Sequence, residues 1–286
     1  MLTIFTPTYN RAYILPRAYE ALCSQTSKNF VWLIVDDGST DNTESLIHTW
    51  IQEGRIAIQY HHQENGGKMR AHNLGVHLCE TELFVCVDSD DYIVKDAVES
   101  ILHLWNSLQH KDKLAGIIAY KGKDPSHILF GKPFPNINPA TLQELYQNGF
   151  TGETTLIYRT HVLSQHLFPV FDGEKFIPEA VVYDQIDQHH PLYVFPRIIT
   201  ICEYHNDGLS HSVALLRENN PKGWLLYYQH RIKNCPCSIL RYKYIAHAIC
   251  FCWKLSYRPS QHIPAHGAEI LISLPGALLL KVMKKL

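Results

Sequence analysis

The chain is short of cysteine, of net charge and of long apolar runs, and each shortage removes a class of protein. Eight cysteines in 286 residues are too sparse for the disulfide framework of a small secreted domain. Cys23, Cys79 and Cys86 fall within apolar patterns, where a reduced thiol packs as a small hydrophobe. Cys235-Pro-Cys237 and Cys250-Phe-Cys252 lack C-x-x-C spacing, which argues against a zinc site. The opening residues, MLTIFTPTYNR, show no basic segment leading into an apolar one, so the expected location is cytoplasmic. Near the C-terminus the most apolar stretch, AEILISLPGALLLKVM, is only 16 residues long and contains Pro275, too short for a transmembrane span. Internal repeats and low-complexity tracts are absent. What remains is a folded chain, 46% hydrophobic with a formal net charge of -1, sized for one large domain or one domain with an appendage.

That neutrality conceals an asymmetry. From Arg231 onward, Arg241, Lys243, Lys254, Arg258, Lys281, Lys284 and Lys285 are among the cations that face Glu269 as the single acid. A basic segment of this kind suits an anionic surface. Because its cations are interleaved with Trp, Tyr and Phe and followed by an apolar face, a helix lying in the headgroup plane of a membrane is expected, and no nucleic-acid partner.

The first half alternates short apolar runs with amphipathic segments. Residues 2–6, 30–36, 56–60, 83–88 and 114–120 read as strands, and 13–25, 41–54, 67–79 and 95–108 as helices. Such alternation predicts right-handed βαβ units around a mainly parallel sheet, with ligands at the carboxyl ends of the strands. TPTYN follows the first strand, DDGS the second, ENGGK the third and DSDD the fourth, so these polar motifs are expected along one edge. After residue 120 the pattern loosens into a long Pro- and Gly-rich excursion, LYVFPRIITICEYH suggests two more strands, and from about residue 212 the chain reads as helical.

The acidic run Asp88-Ser89-Asp90-Asp91 poses the physical question. Like charges this close repel and are costly to desolvate, so they need a cation among them. One residue could cap the next helix, and Asp91 is a candidate for that role. A cation held among the remaining carboxylates would account for the others.

TPTYNR, VDDGSTDNT and VDSDDY, in that order, resemble the family 2 glycosyltransferases with the GT-A fold, a Rossmann-like α/β architecture. The later GEKFIPEA and EYHNDGLS resemble a bacterial branch that builds surface polysaccharides. The resemblance implies an inverting transfer from a nucleotide-diphosphate sugar, expected to be UDP-linked, onto a glycan or lipid-linked acceptor. It assigns Asp88 and Asp90 to a hard divalent cation, Mn²⁺ or Mg²⁺, completed by phosphate oxygens, with Asp88 also able to meet the ribose and Ser89 beside them in the nucleotide contacts. Asp37 would accept a hydrogen bond from the uracil ring while Asp36 ties loops together; Pro7, Thr8 and Tyr9 would lie against base and ribose. Gly67 lets backbone approach the ligand and Lys68 reaches a phosphate, ranked ahead of His72, where many members have Arg. Glu179 is the expected general base, although the following Ala180 breaks the Glu-Asp pair common in the family, with Asp184 and Glu174 in reserve. His205 is a third metal ligand or a phosphate contact.

The expected organisation is a catalytic domain over residues 1–211, its nucleotide-binding half 1–120 and its acceptor-side half 121–211, followed by a helical, basic, membrane-associating region over 212–286. A nucleotidyltransferase is the rival enzyme class, but it would want a basic glycine-rich loop after the first strand, and TPTYNRAY has none. A nucleotide- or nucleic-acid-binding module using the basic tail is the non-enzymatic rival.

Overall fold

A computed structural model describes residues 1–203 and 213–283. The N-terminal part realises the expected alternation: β1 (Leu2–Thr8), α1 (Leu15–Cys23), β2 (Phe30–Asp36), α2 (Thr43–Glu53), β3 (Ile58–His62), α3 (Lys68–Leu78) and β4 (Leu83–Cys86). The strands β3, β2, β1 and β4 are parallel neighbours, with Thr8 level with Asp36 and Asp36 level with His62, so their carboxyl ends reach one edge together. Both faces of β1, β2 and β4 are covered, which is why they read as unbroken apolar runs, whereas the edge strand β3, IQYHH, is only partly buried. On one face Trp32 stacks beside Tyr19 and Trp50, its indole N–H donating to Thr6 Oγ1 at 3.0 Å. On the other, Phe5 and Phe84 stack at 5.2 Å against the edge of His72. Gly75 is required there, since a Cβ would fall 2.3 Å from the Phe5 ring.

Beyond β4 come β5 (Tyr92–Ile93), α4 (Ala97–Ser107), β6 (Gly116–Asp124), β7 (His127–Ile128), α5 (Leu142–Gln147), β8 (Thr154–Arg159), α6 (Thr160–Ser164), α7 (Ala180–Asp187) and β9 (Leu192–Ile201). They extend the sheet to the order β3-β2-β1-β4-β8-β6-β9-β5, with β7 paired to β6. Here the pairing is mixed: β8 is antiparallel to β4 and β6, whereas β6 and β9 are parallel. The segment 192–201 is a single strand rather than two. Its pairing with β6 skips from Val194 to Ile198, a bulge that accommodates Pro196, which has no N–H to give the ladder. The excursion after residue 120 is organised by aromatic packing, with Tyr120 stacked on Phe134 at 4.0 Å and Phe150 beside them.

By contacts the described chain divides into two units, residues 1–167 with 182–203, and residues 168–181 with 213–283. The stretch 168–181, placed by the sequence in the acceptor-side half, thus belongs with the C-terminal helices. The reason is Glu174, which is buried and whose carboxylate accepts from the amides of Lys222 (2.8 Å) and Gly223 (2.9 Å). Those amides open α9 (Pro221–Asn234), where unpaired N–H groups favour a carboxylate. Asn220 Oδ1 in turn accepts from the amides of Lys175 and Phe176.

The second unit also holds α8 (Val213–Asn219), α10 (Ile239–Lys254), α11 (Pro259–His262) and α12 (Gly267–Val282). Its core gathers Leu225, Tyr228, Ile232, Ile245, Ile249 and Phe251. On α12, Ile270, Ser273 and Ala277 are buried, and the Arg241–Glu269 ion pair at 2.7 Å joins its first turn to that of α10. The rest of α12 is nearly as apolar but exposed: Leu271, Ile272, Leu278, Leu279 and Val282 are each more than half accessible. Among the described residues, no helix is long and apolar enough to cross a membrane.

Candidate active site

The loops that leave β1 and β2 are stitched together through Asn10. Its backbone takes the left-handed conformation, φ 54°, which Asn tolerates better than most residues. From there its side-chain oxygen accepts from the amides of Thr40 (2.7 Å) and Asp41 (3.3 Å), while its own amide donates to Ser39 Oγ at 2.8 Å. Asp41 accepts from the amides of Ala12 and Thr43, so it is the residue that satisfies the start of α2. Pro7 and Thr8 are buried at the end of β1, and Tyr9 projects, about half exposed. Thr8 Oγ1 is buried with no hydrogen-bond partner among the described residues.

Two adjacent aspartates end β2 and divide the work of tying loops. Asp36 accepts from the amide of Ser39 (2.8 Å) and from the Tyr60 hydroxyl (3.0 Å). Asp37, 5% exposed, accepts from Gln63 Nε2 at 2.6 Å and from the amides of Gly66 and Gly67, each at 2.8 Å. That network fixes the ENGG loop. Gly67 sits at φ 95°, a conformation costly for any residue with a Cβ, and α3 begins at the next residue. Gln63 is a participant that the sequence offered no reason to choose; its partner lies across a strand pairing.

At the head of α3, Lys68 turns to the acidic run and meets Asp88 at 2.8 and 3.0 Å. Burial favours the neutral form of Asp88, but the ammonium groups of Lys68 and Lys121 outweigh it and hold the carboxyl below its usual range. His72 follows one turn later, buried against Phe5 and Phe84. The amide of Asp91 donates to the Asp88 carbonyl at 3.0 Å, closing a turn over residues 88–91. Ser89 and Asp91 point inward, 8% and 6% exposed, and Asp90 is partly exposed. Asp91 is not a helix cap: α4 begins after Asp96, and the Asp91 carboxylate pairs with Lys121 at 2.9 Å instead. The Asp90 side chain makes no hydrogen bond or ion pair among the described residues.

This geometry suits a divalent metal in one specific way. No group of three or more His, Cys, Asp or Glu side chains gathers to hold an ion among the described residues. Asp90 with Asp88 offers two carboxylates, the small protein share expected when substrate phosphates complete the shell of Mg²⁺ or Mn²⁺. The expected residues Pro7, Thr8, Tyr9, Asp37, Gly67, Lys68, Asp88, Ser89 and Asp90 all lie in the first unit, at or just beyond the carboxyl ends of β1, β2 and β4 and at the start of α3. Asp184 lies on α7, partly buried in the same unit, and Glu179 is exposed in the second. His205 lies outside the described residues.

A sequence model described as glycosyl transferase family 2 matches residues 3–167, a stretch that contains every one of these loops. The chain belongs to glycosyl transferase family 2. Within the family, it is 33% identical over 128 residues to the glycosyltransferase GlyG of Streptococcus pneumoniae serotype 4, covering 44% of this chain and 41% of GlyG. It is 38% identical over 98 residues to an uncharacterized glycosyltransferase of Rickettsia felis, covering 34% of this chain and 16% of that protein. The chain therefore matches less than half the length of either relative. Among solved structures, S. aureus TarS 1-349 in complex with UDP-GlcNAc superposes with a TM-score of 0.64 at 17% identity, covering 97% of this chain and 80% of TarS 1-349. The mannosyltransferase PcManGT from Pyrobaculum calidifontis, in complex with GDP-Man and Mn²⁺, gives 0.58 at 15% identity, covering 98% and 80%. At such identities the likeness is one of fold, and it establishes the GT-A architecture.

The Asp37 network makes the ENGG loop depend on one carboxylate. Asp37→Ala should cost about 1–3 kcal/mol in denaturant unfolding, because it leaves two glycine amides and an amide side chain without their charged acceptor. It should also speed hydrogen exchange at Gly66 and Gly67; exchange as slow as in the wild type would show that the loop is held by something else.

Proposed function

We propose that this chain is an inverting, metal-dependent glycosyltransferase that takes its sugar from a UDP-linked donor. The observation that carries the reading is the Asp90 side chain at the sheet's carboxyl edge, without a partner among the described residues and beside an Asp88 already shared with Lys68. TarS, the solved relative with the higher TM-score of the two, was crystallised with UDP-GlcNAc, which supports a uridine donor and an N-acetylhexosamine among its sugars.

In this reading Tyr9 provides an aromatic face for the base, and Thr8 its buried hydroxyl. Asp37 has three of its roughly four acceptor positions filled, leaving one for the N3–H of uracil. Mn²⁺ or Mg²⁺, held by Asp88 and Asp90 with Ser89 between them, would neutralise the diphosphate as it leaves. Gly67, with no side chain, lets the phosphates approach the start of α3, and Lys68 supplies an ammonium there. An acceptor hydroxyl attacks the anomeric carbon in line, the bond to the diphosphate breaks, and the proton passes to a carboxylate. Glu174 is committed to the head of α9, so Glu179 at the start of α7 is the proposed base, with Asp184 next in line.

The acceptor is proposed to be a glycan on a lipid carrier, met at the inner face of the cell membrane. The exposed apolar side of α12 supports this, since Lys281 lies beside it and stands 5.6 Å from the Trp253 ring, and each lysine near an anionic leaflet adds about 1 kcal/mol of attraction.

Asp90→Asn should leave the fold intact and abolish the Mn²⁺-dependent part of UDP binding measured by calorimetry; equal Mn²⁺-dependent affinity in the variant would refute the metal assignment. Glu179→Gln should bind donor normally and transfer sugar roughly 10² to 10⁴ times more slowly. Wild-type turnover in that variant, with Asp184→Asn inactive, would give the role to Asp184. For the membrane, Leu278→Asp with Leu279→Asp should prevent flotation with vesicles of mixed phosphatidylglycerol and phosphatidylcholine. Flotation equal to the wild type, or no flotation by the wild type itself, would remove α12 as the anchor.

A further inference from the structure

The acidic run contains three carboxylates, and the partner of the third comes from a strand that carries no recognised motif. Lys121 lies near the end of β6, a strand held on both sides: its amide donates to the Glu153 carbonyl at 3.3 Å, and it is level with Thr200 of β9. Its ammonium meets Asp91 Oδ2 at 2.9 Å and lies 4.0 Å from Glu153. Both ends of the Asp91 contact are shielded, the side chains being 18% and 7% exposed. The Cys202 amide donates to the Gly122 carbonyl at 2.9 Å, which ties the chain leaving β9 to β6 beside Lys121. Burial alone would strip the proton from Lys121, but Asp91 and Asp88 hold its pKa well above the usual value.

The grip matters because of where Asp91 sits. Its amide closes the turn on the Asp88 carbonyl, so the residue that anchors the turn to the sheet also fixes the direction in which Asp90 leaves it. With Lys68 holding Asp88 from one side and Lys121 holding Asp91 from the other, the intervening Asp90 side chain has no partner among the described residues. We propose that Lys121 is a positioning residue for the donor site, holding the 88–91 turn through Asp91 so that Asp90 is presented to the metal and diphosphate without rearrangement. This inference rests on the donor-site reading above and adds to it a residue outside the family's motifs.

The test is calorimetry of UDP with and without Mn²⁺ on the full chain, with thermal unfolding alongside. Lys121→Met should weaken Mn²⁺-dependent UDP binding by about 10- to 100-fold, the usual loss when a partner behind a metal ligand is removed. UDP binding in chelator should be unchanged, and Lys121→Arg should recover most of the loss. Asp91→Asn approaches the same contact from the other side and should reproduce the defect even if Lys121→Met folds poorly. The double variant should lose no more than either single one, as expected for two residues acting as one unit. Additive losses, or a loss of binding in chelator, would mean that Lys121 meets the nucleotide directly and would overturn the positioning role. Wild-type Mn²⁺ dependence in both Lys121→Met and Asp91→Asn would overturn it as well. A wild-type protein whose UDP binding ignores Mn²⁺ would instead remove the donor-site reading on which the inference stands.

Discussion

Everything at the carboxyl edge depends on keeping several carboxylates together without letting them repel one another. The fold meets this by bringing ammonium groups from opposite directions, Lys68 from the head of α3 and Lys121 from the middle of the sheet. Two of the three aspartates in the run are neutralised within the protein, and the third, Asp90, has no partner among the described residues. Charges this close interact far more strongly in a shielded site than in water, so each lysine shapes the site as well as neutralising it. The neighbouring loops follow the same logic on a smaller scale: Asp36 holds the DDGS turn through the Ser39 amide, and Asp37 holds the ENGG loop through the amides of Gly66 and Gly67.

Much of this was legible in the sequence because parallel strands announce themselves twice. Buried on both faces, β1, β2 and β4 appear as unbroken apolar runs, and the polar motif after each marks the carboxyl end where a ligand sits. The four helices between and after them fall within a residue or two of where their apolar spacing puts them. What could not be read is equally specific. The strand β8, TTLIYR, is short, antiparallel and embedded in turn-rich sequence, so nothing local places it between β4 and β6. Lys121 follows an apolar strand just as the motifs do, and that was the one clue; as a lone lysine it carries no pattern, and its partner is 30 residues away. Glu174 looked like a spare acid beside Glu179, and only the placement of α9 reveals that its carboxylate is occupied by a helix start.

The second unit presents a different balance. Its core is aromatic and aliphatic, with Trp224, Tyr228 and Phe251 stacked among the helices, and α12 completes it with one side while exposing an apolar surface on the other. Leu271, Ile272, Leu278, Leu279 and Val282 on that exposed side are the residues on which the proposed membrane contact rests. The proposed nucleotide-sugar site in the first unit and the apolar side of α12 in the second are the two features on which the proposed lipid-tethered acceptor rests.

The central claim, that the carboxyl edge of the sheet is a site for a nucleotide diphosphate and a divalent metal, is tested most directly by a crystal structure with UDP and Mn²⁺, using anomalous scattering to locate the metal. The account predicts one manganese peak in contact with Asp90, UDP phosphates completing its shell, and the uracil against Tyr9 near Asp37. A UDP molecule bound elsewhere, or bound at this edge with no manganese on Asp90 at saturating concentration, would contradict it.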